Sequence, residues 1–76
     1  MSLQEQTKEI LNNFDSTPSE TIVEALDEIK NHFKSNLTRD YLEGKIQAIS
    51  NASEESEKKK LCKNLQPYLD WYLQGI

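Results

Sequence analysis

Glycine and proline are scarce, with two of each in 76 residues where average usage predicts about nine together. So few turn formers argue against an all-β fold, which needs a turn every few residues. The single cysteine, Cys62, has no partner for an internal disulfide, which excludes a stapled secreted scaffold. Cysteine and histidine together number two, too few for the four ligands of a zinc site. Gly44 and Gly75 stand alone, so no glycine-rich phosphate loop is present. No apolar run approaches the ~18–20 residues of a membrane span, and no apolar segment follows the N-terminus as in a signal peptide. Apolar residues make up 36% of the chain against a typical ~45–50%. The expectation is one soluble, cytoplasmic domain over residues 1–76, with a thin core and no cofactor or metal.

Charge is present in quantity and unevenly placed. The net charge is -4. Seven acids and three lysines fall in residues 1–35, whereas residues 36–76 hold six of each sign. An acidic first half opposes binding to nucleic acid or an anionic membrane, because both require a concentrated positive face. The one basic cluster, Lys58-Lys59-Lys60 with Lys63, adjoins Glu54, Glu55 and Glu57, which cancel most of its field. Nucleic acid is therefore not the expected partner.

The apolar residues recur at helical spacing throughout. Ser2 and Glu5 have capping-box spacing before a stripe of Leu3, Thr7, Ile10, Leu11 and Phe14, which predicts a helix to Phe14. Thr17-Pro18-Ser19-Glu20 is the best start signal in the chain, with Thr17 as cap and Pro18 at the first helical position. Ile22, Leu26, Ile29 and Phe33 then follow 4-3-4 spacing, the seam of a bundle helix. Thr38 is the expected cap of a third helix, with Leu37 stapled onto Leu42, and Leu42, Ile46 and Ile49 as its seam. A fourth begins after Ser53, where Glu54 and Glu55 precede Lys58 and Lys59 by four residues, the order that stabilises a helix locally. Pro67 interrupts its stripe, since proline removes an amide and clashes with the preceding turn. The fold expected is all-α, a small antiparallel four-helix bundle with the last helix kinked near Pro67. A second arrangement merges helices three and four through Ala52 into one long arm that dimerises.

Catalytic chemistry has little to stand on. Cys62 and His32 are the only candidates for a nucleophile and base, and nothing in their spacing joins them; no catalytic residue is expected and the chain reads as non-enzymatic. Glu20, Glu24, Asp27 and Glu28 form an acidic ridge on the second helix, read first as a solvated face. The C-terminal segment is more informative. At 100° per residue, Tyr68, Leu69, Tyr72, Leu73 and Ile76 span about 140° of a helix, and Trp71 widens the stripe to about 200°. Tyr and Trp are enriched in binding hot spots, and three of the six aromatics lie in residues 68–72. Two readings stay open: the segment anchors the core, or it meets a partner.

The function expected is that of a small acidic helical regulator, inhibitor or adaptor that binds a protein or a second copy of itself. The candidate contact residues are Tyr68, Leu69, Trp71 and Tyr72, with Glu20, Glu24 and Asp27 as the second choice. In length, acidic-to-neutral balance and helix count the chain also resembles small bacterial helical proteins, among them bacteriocin immunity proteins. That resemblance is one of architecture and implies a protective role. A small helical nucleic-acid-binding regulator is the remaining alternative.

Overall fold

The structure, a computed structural model, describes residues 2–75. Five α-helices follow one another: α1 (Leu3–Asn12), α2 (Ser19–Ile29), α3 (Asn36–Asn51), α4 (Glu55–Asn64) and α5 (Gln66–Leu73). Short 3-10 turns at Phe14–Ser16 and Lys30–His32 follow α1 and α2. No strand occurs among the described residues. The Cα radius of gyration, 11.5 Å, is that of a compact chain of this length, about 11 Å.

Helix α2 is the centre. Its seam residues Ile22, Leu26 and Ile29 are fully buried, and α1, α3, α4 and α5 all pack against it. Helix α3 runs back along α2. Its last turn, at Ile49 and Ser50, lies beside Ser19, Glu20 and Val23, while Leu42, Ile46 and Ile49 fill the core. Helix α4 reverses direction again, so that Leu61 and Asn64 lie beside Tyr41 and Lys45 of α3. Helix α1 closes the bundle against α2 and α5, with its Ile10, and Phe14 of the turn that follows, inward.

Where four helices were expected there are five, because the chain leaves helical geometry at Leu65. That residue has φ -99° and ψ 1°, and its amide bonds Cys62 O at 2.9 Å. Pro67, in the first turn of α5, supplies the cause: it has no amide to continue the α4 ladder and its ring excludes the preceding turn. The merged long arm does not form either. Ala52 stands in an extended conformation (φ -67°, ψ 144°) and ends α3.

Three of the expected caps are replaced. Ser2 Oγ accepts the Glu5 amide at 3.2 Å, as its spacing predicts. Helix α3, however, is capped by Ser35 Oγ accepting from Thr38 N at 3.4 Å, so Leu37 falls inside the first turn and points outward, 83% exposed. The staple onto Leu42 is lost with that shift of register. At α4 the cap position falls on Glu54, one residue beyond Ser53, with no side-chain cap. Thr17 does not cap α2; its hydroxyl donates to Asn13 O at 2.7 Å.

The amide at the head of α2 is instead satisfied from α4. Glu55 Oε2 accepts the Ser19 amide at 2.8 Å and Oε1 accepts the Ser19 hydroxyl at 2.6 Å. One turn later, Lys59 Nζ donates to Phe14 O and to Thr17 O and lies 4.9 Å from the centre of the Phe14 ring. Glu55 and Lys59 together therefore clamp the α1–α2 connection. All other side-chain hydrogen bonds of the described residues span only three or four positions.

Two expectations follow. A Cβ built on Gly44, in mid-α3, meets nothing within 4 Å, so Gly44 is a weak spot rather than a close contact; Gly44→Ala raises stability by about 0.5–1 kcal/mol in chemical denaturation. The Ser19 hydroxyl and amide hold the Glu55 carboxyl below its ordinary 4.5, helped by Lys58 and Lys59. Its contribution is whole above about pH 4.5 and disappears as pH falls through the lower folded value. Denaturation midpoints of Glu55→Gln are therefore lower than wild type at neutral pH, and the gap closes in acid; an unchanged gap contradicts the clamp.

Candidate protein-binding surface

Helix α5 buries one residue completely and half-buries Gln66, Tyr68, Tyr72 and Leu73. Leu69 is fully buried, while Tyr68 and Tyr72 pack at the margin of the core. Trp71 remains 50% exposed. The two readings of the C-terminal segment therefore divide between residues: Leu69 belongs to the core, Trp71 to the surface. Ile76, the last member of the predicted stripe, lies outside the described residues.

A run of ring contacts crosses this end of the molecule. His32 packs on Tyr72 with centroids 5.2 Å apart. Phe33, buried at the end of the second 3-10 turn, meets Trp71 edge-on at 5.3 Å and Tyr68 at 6.0 Å. Tyr68 lies 6.1 Å from Trp71 and 5.9 Å from Tyr41, and Lys45 Nζ sits 5.4 Å over the Tyr41 ring. These separations are those of favourable aromatic pairs. The exposed rings are thus held in place, so a partner meets them with little further loss of side-chain entropy.

The sequence reading missed Leu37 and Tyr41 as surface residues. Leu37, expected as a staple on Leu42, is 83% exposed, and Tyr41 is 48% exposed. A signal was there: both lie more than 90° around the helix from the direction of Leu42 and Ile46.

The acidic ridge occupies a different helix. Glu20, Glu24, Asp27 and Glu28 are exposed on α2, and Asp27 pairs with Lys30 at 2.8 Å. Glu20 stands at the start of α2, about 20 Å along the helix from Phe33, whereas Asp27 and Glu28 lie within two turns of it. Glu54 and Glu55 make no ion pair with Lys58 and Lys59 among the described residues; Lys59 is committed to the α1–α2 connection.

The remaining chemistry is quiet. Cys62 is fully buried, and burial pushes its thiol up to about 11, which keeps it protonated and unreactive near neutrality. His32 is exposed against Tyr72. No group of three His, Cys, Asp or Glu side chains is placed to hold a metal ion among the described residues. No described helix is long and apolar enough to cross a membrane.

No protein-family model matches the chain, and no curated protein or solved structure is significantly similar to it.

The division within α5 has a measurable consequence. Leu69→Ala leaves a cavity and costs about 2–5 kcal/mol. Trp71→Ala removes a larger side chain but costs less, because half of its surface already faces water. Equal losses in urea denaturation would place Trp71 in the core.

Proposed function

We propose that this protein works without catalysis, as a cytoplasmic regulator, inhibitor or adaptor that binds another protein through its aromatic end. The observation that carries the reading is Trp71: half exposed, yet fixed by ring contacts to Phe33 and Tyr68. An aromatic side chain that is both accessible and immobilised is the usual anchor of a protein interface. Tyr68 and Tyr72 extend the anchor on either side, and Leu69 holds α5 in position. The acidic ridge of Glu20, Glu24 and Asp27 contributes to the rate of association rather than to the contact itself.

On this reading the chain acts as one domain, with α4 and α5 serving together as the fourth limb of a bundle bent between Leu65 and Pro67. The buried, protonated Cys62 thiol is compatible with a reducing compartment. A bacteriocin-immunity-like protective role is one form this activity takes, supported by the small acidic helical architecture. Regulation through nucleic acid is less well supported, because Lys59 is withdrawn from the basic cluster by its bonds to Phe14 O and Thr17 O.

A photo-crosslinking residue placed at Trp71 in living cells tests the proposal, with the exposed Gln47 position as control. Discrete protein adducts from position 71, absent at position 47, are expected. The same pattern from both positions, or none from 71, overturns it.

A further inference from the structure

From Glu55 to Leu73 every residue but one is helical. The exception is Leu65, at φ -99° and ψ 1°, about 40° in each angle from an α-helix. The core stripe ignores the interruption. Cys62, Leu65, Leu69 and Tyr72 follow 3-4-3 spacing across it, the seam of one continuous helix, and the first three are buried. Pro67 is what holds the chain bent. In a continuous helix its ring would meet the Lys63 carbonyl, and no amide at position 67 would bond that carbonyl. In the bent chain the same residue falls in the first turn of α5, where proline is tolerated.

Straightening has a consequence for packing. Rotating Leu65 into helical geometry swings the far end of α5, about 12 Å long, by about 8 Å. That lifts it off α1 and α2, against which it packs. Leu69, fully buried, and Tyr68 and Tyr72, at the margin of the core, then need cover. One surface has their shape: the seat on α1 and α2 that α5 leaves behind, offered by a second copy that has straightened likewise. Exchange of an identical helix restores the contacts of the bent monomer between two chains. It is a low-cost route to a dimer, and a short hinge favours it.

We infer that the α4–α5 junction is a switch between the bent monomer and a dimer in which two copies exchange α5, with Pro67 holding the balance toward the monomer. The occupant of each seat is the same helix of a second copy. In the dimer the ring contacts of the aromatic end form between chains: Phe33 of one copy with Tyr68 and Trp71 of the other, Tyr41 with Tyr68, and His32 with Tyr72. Each dimer therefore carries two aromatic ends, each built from both chains. The inference goes beyond the proposed function and does not rest on it, since it depends on the junction and not on what meets Trp71.

Pro67→Ala tests it by removing the clash from both chains of the straight form. The dimerisation constant, read by light scattering up to millimolar concentration, is expected to rise by about a hundredfold or more. In a dimer assembled from copies carrying two different isotopic labels, the α1–α5 contacts appear in NMR spectra between copies. Two glycines inserted between Leu65 and Gln66 of the Pro67→Ala chain break the continuous helix and lengthen the hinge, which returns the monomer. A folded Pro67→Ala chain that stays monomeric overturns the exchange. So does a dimer whose α1–α5 contacts remain within each copy, or one that survives the glycine insertion. Should Pro67→Ala fail to fold, wild type refolded from urea at millimolar concentration decides instead: the exchanged dimer is expected as a minor species, and monomer alone overturns the inference. Crosslinks from position 71 to another protein are unaffected by either result, which keeps the two readings separable.

Discussion

The clamp that α4 closes on the α1–α2 connection is the constraint around which the bundle is organised. A small, thinly apolar chain tolerates few unpaired polar groups, because each costs about 1–3 kcal/mol when buried without a partner. The head of α2 presents such a group, with Ser19 almost fully buried and no residue of its own element capping it. Glu55 meets that need from thirty-six residues away. Lys59, one turn on, takes the carbonyls of the turn that leads in. One turn of α4 thus ties the turn between α1 and α2, and the head of α2, to α4. The bonds are charge-assisted, which makes them stronger than neutral ones. No side-chain nitrogen or oxygen is left buried and unpaired among the described residues.

The opposite end of α2 solves a different problem. There the helix runs out through a 3-10 turn to Phe33, and the chain reverses before α3. Aromatic rings rather than hydrogen bonds join the pieces: Phe33 packs under Tyr68 and Trp71, and Tyr41 reaches Tyr68 from α3. The break at Leu65 is what permits this. By ending α4 and re-aiming α5, it buries Leu69 in the core while Trp71 faces outward. The polar end is therefore closed on itself, whereas the aromatic end leaves Trp71 half exposed.

Much of this was legible in the order of residues. The seams of α2 and α3 were read from 4-3-4 and 4-3 spacing, which survives because a helix that must bury one face has a single choice of face. The interruption near Pro67 was visible for an equally local reason, the missing amide of proline. Less legible were the caps. Thr17 and Thr38 carry the right chemistry, but Ser35 and Glu55 do the capping, and the choice between neighbouring hydroxyls depends on where each helix is held by its neighbours. That single shift at Ser35 turned Leu37 from a buried staple into the most exposed large apolar side chain described.

The sequence by itself determined the all-helical class, the residues that form the core stripes and the place where the last helical stretch is interrupted. All three follow from periodicity, propensity and the geometry of proline, which act over a few residues. Tertiary structure alone decided the roles of Glu55 and Lys59. Their spacing announces a local i, i+4 pair, yet each turns to a partner more than thirty residues distant, because part-buried groups there bind charge more strongly than an exposed neighbour does. It also decided which aromatics are core and which are surface. Burial is a property of the packed ensemble of helices, and no window of one helix contains it.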